Sequence, residues 1–353
     1  MLYKVVTNML IIVGMPSLTI RLGTGCCVII SNCVLYFFIR ATLKYQYLIP
    51  FFILVFKNGE KYSLDKIGTG DGMNLIEIKD INAPEMDVFA RTTERQLRTC
   101  NEPEEGMFLA ESANVILRAL EAGYEPLSML VETGRLEAEA GPVLDAIEKH
   151  CGPEKLNSIP VYIAGREILI NLTGHTLVRG LWMTLKRKPE ISVEDFCKDK
   201  KRIAVLFDVV NPVNVGAIFR SAAALGMDGV LLTHASVDPL TRRTARVSMG
   251  TVFQIPWAQA SLEDSEGLTM MRLLNTYGYK TVAMALTSDS TSVDNDEIRS
   301  NDKLAVLLGT EGTGLPKGVI AASDYRVMIP MYHGVDSLNV AAASAISFWE
   351  LMK

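Results

Sequence analysis

Residues 202–225 read RIAVLFDVVNPVNVGAIFRSAAAL, an apolar run that breaks into a polar junction and then a helical pattern. From 202 to 210 it is apolar except for Arg202 and Asp208, as a strand buried on both faces requires. Asn211, Pro212, Asn214 and Gly216 then crowd a junction, and the spacing predicts a helix over 215–225. A buried strand running straight into a helix is the βα unit of a parallel sheet. Ligands of such sheets collect at the carboxyl ends of the strands. Asn214, Gly216 and Arg220 are therefore candidate functional residues. Arg220 is expected in the helix's first turn, where helix N-terminus and guanidinium together bind anionic oxygen.

The same alternation continues outward in both directions. Downstream, IAVLFDV, GVLLTH, VFQIPW, KTVAMAL, KLAVLLG and YRVMIP read as strands. Helices are expected between them at 240–249, 261–276 and 315–322, with a last one from Leu338 to the end. Upstream from Met73, GMFLAES, LSMLVE, IPVYIAG and GLWMTLKR read as strands, with amphipathic helical stretches such as ANVILRALEAG and GPVLDAIEKHCG between them. The expected organisation is a small α/β domain over 73–190, a polar linker over 191–201 and a parallel-sheet α/β domain over 202–353. Two domains suit 353 residues at about 150 residues each.

The first 72 residues stand apart. Residues 1–59 hold five of the 35 basic residues and none of the 40 acidic ones, so the rest of the chain is clearly acidic. An acidic body argues against indiscriminate polyanion binding and confines any nucleic-acid site to a local patch. The apolar runs CCVIISNCVLYFFI and YLIPFFILVF fall short of the ~20 residues that span a bilayer. Two readings follow: a mis-start, with Met73 as the true first residue, or a membrane hairpin made by 1–56. Six scattered cysteines and four dispersed histidines give neither disulfide nor metal spacing, so no metal and a reducing cytoplasm are expected.

Two further loops lie at strand carboxyl ends. LLGTEGTGLP (307–316) is glycine-rich but lacks the Gly-Lys-Ser/Thr ending of a phosphate loop, and Gly309, Gly312 and Gly314 are not in dinucleotide order. It reads either as a tight turn or as backbone passing close to a flat ligand, with Glu311 aimed into the cleft. IPMYHGVDSLNVAAA (329–343) pairs Ser337 and Asn339 with a small-residue helix. Ser337 suits an N-cap, while Asn339 is expected inside the first turn, a poor place for it structurally. TRRTARVSMG sets Arg242, Arg243 and Arg246 at helical spacing, as a solvated face or an RNA-backbone contact.

Together the three loops resemble motifs one to three of the SpoU (TrmH-type) class of SPOUT RNA methyltransferases, which are knotted α/β proteins. Asn214, Gly216 and Arg220 match N-x-G-x-x-x-R. LGTEGTGLP matches L-G-x-E-G-x-G-[IL], and IPMYHGVDSLNVAAA matches I-P-M-x(5)-S-L-N-V-[AS]. Residues 73–190 resemble, less specifically, the L30e-like substrate-binding domain that accompanies these enzymes. Two departures stand out. Ser112 occupies a position where the family commonly has glycine, and His333 one where a small residue is usual.

The resemblance implies S-adenosylmethionine as cofactor, a ribose 2′-hydroxyl of rRNA or tRNA as methyl acceptor, and a homodimer. Gly309, Ile329 and Leu338 match the positions that hold the adenosyl part, and Arg220 matches the catalytic arginine. Asn214, Glu311, Ser337 and Asn339 are expected to position ribose and arginine. No residue is an obvious general base, and His333 reads as an exposed loop histidine. The alternative is a catalytically silent RNA-binding protein of the same fold.

Overall fold

The computed structural model describes residues 73–80, 82–102, 104–173 (backbone alone at 171–173), 180–260 and 267–353, together with the backbone of four N-terminal strands. The chain divides into two compact units, 1–70 and 71–353. In the first, β1 (Met9–Gly14), β2 (Ser17–Leu22), β3 (Cys26–Ser31) and β4 (Val34–Ile39) form an antiparallel meander. Of the two apolar runs behind the hairpin reading, CCVIISNCVLYFFI falls on β3 and β4, while YLIPFFILVF and the rest of 1–72, with the mis-start reading, lie outside the described residues. Among the described residues no helix is long and apolar enough to cross a membrane.

The second unit contains two sheets. The smaller is built from β5 (Leu75–Ile78), β6 (Met107–Glu111), β7 (Pro126–Glu132), β8 (Val161–Ala164) and β9 (Leu181–Lys186), in the order β5-β8-β7-β9-β6. Its β5-β8-β7 half is parallel, and its β7-β9-β6 half antiparallel. The sequence reading has no β5, because four residues are too few to display an alternation. Leu130, Tyr162, Leu169 and Trp182 anchor this sheet's core.

The larger sheet is parallel throughout. It is made by β10 (Arg202–Leu206), β11 (Gly229–Leu232), β12 (Trp257–Gln259), β13 (Lys280–Met284), β14 (Thr291–Ser292), β15 (Leu304–Leu308) and β16 (Tyr325–Met328), in the order β12-β11-β10-β15-β13-β16-β14. Val205 lies in register with Leu231 on one side and Leu307 on the other, a fully buried row. The chain lays β13 and β14 first and later threads β16 between them. The loops after β10, β13, β15 and β16 therefore open at one edge.

Two sequence expectations change. VFQIPW is not one strand: Gly250, at φ +82°, starts a 3-10 turn over Thr251–Phe253, and the strand begins only at Trp257. Pro256 has no N–H to give a ladder. The expected linker is also more than a tether. Ser192 caps a short helix, Val193–Cys197, by accepting from the Asp195 N–H, and its Phe196 and Cys197 enter the core beside Ile203, Val205 and Leu231. A Cβ on Gly229 would stand 2.6 Å from the Phe196 ring, so glycine is required there.

The sheets meet along a polar and aromatic seam. Arg246 Nη1 donates to Glu111 Oε1 at 3.0 Å, and the Arg242 N–H donates to Glu94 Oε1 at 2.7 Å. Arg118 donates to the Met249 carbonyl, and Arg187 pairs with Asp238. Phe108 of the smaller sheet packs on Phe253 with ring centroids 5.7 Å apart. Two of the three clustered arginines are thus drawn toward Glu111, while Arg243 stays exposed.

Candidate active site

The helix after β10 begins earlier than its apolar spacing predicts. It runs Pro212–Ala224, with proline at its first position and Asn211 as N-cap, its Oδ1 accepting from the Val213 N–H at 2.9 Å. Asn214 is therefore the first-turn residue, buried to 4% exposure. Arg220 is the ninth residue of the helix, about 12 Å along the axis from Pro212 at 1.5 Å per residue. The helix-terminus argument for Arg220 does not hold, because the terminal dipole field fades within a turn. Arg220 is exposed, with no hydrogen bond or ion pair among the described residues. Gly216 has a packing reason: a Cβ there would lie 2.8 Å from the Thr244 carbonyl oxygen of the next helix.

The last helix begins later than expected. It spans Val340–Leu351, and Asn339 is its N-cap rather than a residue of its first turn. Asn339 Oδ1 accepts from the Ala341 N–H at 2.9 Å, which fixes the amide and turns Nδ2 outward. Nδ2 then donates to Glu311 Oε1 at 2.6 Å and to Asn214 Oδ1 at 3.1 Å. One side chain joins the first, second and third loops. Ser337, expected as the cap, instead donates to Asp336 at 3.2 Å.

Beside this junction lies a cleft of about 560 Å³ at the sheet's carboxyl edge. Gly309, Ile329 and Leu338 line it, as do Glu311, Ser337 and Asn339. Met284, Leu286, Met331 and Val340 add apolar wall. Its floor is backbone: a Cβ on Gly309 would fall 2.3 Å from the Gly314 carbonyl carbon, because 309–315 folds back on itself through a Thr310–Gly314 bridge. Gly312 and Gly314 hold φ of +90° and +68°, which side chains resist. Asn214 and Arg220 are not among the lining residues, and neither is His333, whose φ of +59° puts it in a left-handed turn with Gly334. Among the described residues no group of His, Cys, Asp and Glu could hold a metal ion.

Comparison with known proteins places this geometry. The profile of the SpoU rRNA Methylase family matches residues 201–349. A protein of Mycobacterium bovis bearing the name uncharacterized tRNA/rRNA methyltransferase is 32% identical over 281 residues, covering 79% of this chain and 92% of its own. The chain belongs to the SpoU rRNA methylase family. A solved structure described as an RNA 2′-O ribose methyltransferase superposes with TM-score 0.61 at 25% identity, over 78% of this chain and 98% of that one. An AdoMet-bound rRNA methyltransferase of Sinorhizobium meliloti shares the fold, with TM-score 0.62 at 23% identity over 79% and 97% of the two chains.

The SpoU resemblance read from three loops therefore stands, and so does the α/β fold with its parallel sheet. Ser112 explains one departure from the family pattern. Its φ and ψ are 84° and 144°, a region that only glycine enters readily, and its hydroxyl is buried without a partner. This chain keeps a glycine-type backbone there with a serine side chain on it.

Proposed function

We propose that the protein transfers a methyl group from S-adenosylmethionine to a ribose 2′-hydroxyl of ribosomal or transfer RNA. The observation that carries this reading is the Asn339 junction, which ties Asn214 and Glu311 together at a glycine-floored cleft in a SpoU chain.

The cleft suits the cofactor. Gly309 lets the 309–315 loop close on its own backbone and form the cleft floor, and Ile329 and Leu338 offer apolar wall and main-chain hydrogen-bonding groups. When bound, the cofactor supplies an electrophilic methyl group. The chain's own residues must present the hydroxyl and stabilise the negative charge that develops on its oxygen. Glu311, held by Asn339, is oriented to accept a hydrogen bond. Ser337 completes the polar rim, and the buried Asn214 braces Asn339 by accepting from its Nδ2. Arg220, exposed and unpaired among the described residues, is available to grip ribose and phosphate through its planar fork of donors.

The architecture carries matching proposals. Threading β16 between β13 and β14 supports a trefoil knot, and the sheet over 75–186 supports an L30e-like RNA-binding domain over 73–190. Ile346 and Trp349, exposed on the last helix, support a homodimer through the 202–353 domain. A cytoplasmic location follows from an RNA substrate.

The test is transfer of labelled methyl from S-adenosylmethionine to total cellular RNA, followed by digestion to nucleosides. Label in 2′-O-methyl nucleosides is the expected result. Label confined to bases, or RNA binding without transfer, would contradict the reading.

A further inference from the structure

A second cleft, of about 460 Å³, opens at the seam between the two sheets and shares no lining residue with the first. Tyr124, Phe253 and Trp257 give it aromatic walls. The Tyr124 and Phe253 rings meet edge to face at 5.3 Å, with Phe108 packed against both, so these two walls are braced from behind. Lys188, which donates to the Ala122 carbonyl, holds its ammonium 4.7 Å from the Tyr124 ring centre. Arg187 also lines the cleft and is only 9% exposed. Its guanidinium pairs with Asp238 through Nη2 and its backbone N–H donates to the Gly106 carbonyl, yet its Nε–H is buried without an acceptor. Buried donors are seldom left unpaired.

We propose that this cleft holds one unpaired base of the RNA substrate, stacked on the aromatic walls made by Trp257 and Phe253. The proposal rests on the RNA methyltransferase reading and deepens it. Charge favours a neutral base over a phosphate. Asp238 already neutralises Arg187, and Glu190, also in the lining, pairs with Arg98. Lys188 is the remaining lining cation, and its ammonium is engaged by the Ala122 carbonyl and the Tyr124 ring, whereas a planar heteroaromatic ring suits the aromatic walls. The volume falls within the range of about 300–1,000 Å³ typical of small-ligand sites. Sequence-tolerant stacking of unpaired bases on aromatic side chains is a general mode of RNA recognition.

The experiment uses the full chain, as wild type, Trp257→Ala and Trp257→Phe. Fluorescence anisotropy reads binding to a single-stranded RNA of about a dozen nucleotides and to a duplex of the same length, and calorimetry reads S-adenosylmethionine affinity. The expected result is about tenfold weaker single-strand binding by Trp257→Ala, with most of it regained in Trp257→Phe. Duplex binding and cofactor affinity should stay at wild-type values. Wild-type single-strand binding by Trp257→Ala would overturn the cleft and leave the methyltransferase reading intact, as would equal loss of single-strand and duplex binding. If the wild type bound neither RNA, the cleft proposal would fall, and methyl transfer to total RNA would decide the methyltransferase reading separately. Photocrosslinking of 5-bromouridine RNA to the wild-type protein removes dependence on the variants. An adduct on the peptides bearing Tyr124 or Trp257 supports the proposal, and adducts only elsewhere overturn it.

Discussion

The seam and the first cleft spend similar side chains in opposite ways. At the seam, Arg246 meets Glu111, Arg187 meets Asp238 and Arg118 meets the Met249 carbonyl, joining one sheet to the other or their flanking segments. At the cleft, Asn214, Glu311 and Asn339 bond to one another across three loops of a single sheet. A partner lost at the seam loosens docking, and a partner lost at the cleft loosens a site. Density of charge in the sequence was therefore a poor guide to chemistry. The arginine cluster at 242–246 largely serves packing, whereas a lone Asn339 organises the candidate centre.

Substitutions test this contrast, beginning with the largest effect. Gly309→Ala places a Cβ where backbone stands at 2.3 Å, so the loop must open. Calorimetry should find cofactor binding lost, and thermal unfolding a penalty of about 1–3 kcal/mol from overpacking. Asn339→Ala removes the helix cap together with both cross-loop bonds. Methyl transfer should fall about 100-fold or more, with about 1 kcal/mol of stability lost with the cap. Asn339→Asp keeps a capping oxygen but turns a donor toward Glu311 into a like charge, so it should restore stability without activity.

Next to Glu111, one residue from the seam, the sign reverses. Ser112→Gly relieves a positive φ and removes a buried, unpartnered hydroxyl. Chemical denaturation should show a gain of about 1 kcal/mol, after allowing for glycine's extra unfolded-state entropy, with cofactor affinity unchanged. A loss of stability would contradict the strain assigned to this position.

The smallest effect concerns Cys197, in the segment between the sheets. Burial pushes its thiol up to about 11 from 9.0. Between those values the unfolded chain releases the proton and the folded chain keeps it, so this contribution to stability is complete below pH 9 and declines as pH rises toward 11. Replacement by alanine should flatten the alkaline limb by about 1 kcal/mol per pH unit in that window. An unchanged slope in paired denaturation curves at pH 8 and 10 would refute the assignment.

Much of this was legible in the chain. Continuous apolar runs marked the long central strands, and the three polar loops were found at their carboxyl ends. Element edges were less legible, because caps fix them and apolar spacing does not. Reading Asn211-Pro212 as N-cap and first helical residue would have placed Arg220 well inside the helix. Reading Asn339 as a cap would have explained its position and freed its amide for Glu311. Phe196 and Cys197 were hidden by the charged residues around them, since two buried side chains in a short helix leave no period. The seam was illegible: nothing local in the sequence says that Arg246 and Glu111 meet.

Cofactor holding and substrate chemistry are proposed to be divided between the loops: Gly309, Ile329 and Leu338 for the one, Arg220 for the other. The most direct test is Arg220→Ala, measured in parallel by S-adenosylmethionine calorimetry and single-turnover methylation of RNA. Cofactor affinity should stay within about twofold of wild type while methylation falls to background, with Arg220→Lys little better because a point charge lacks the planar fork. Loss of cofactor affinity as severe as the loss of activity would contradict this division, and so would wild-type turnover.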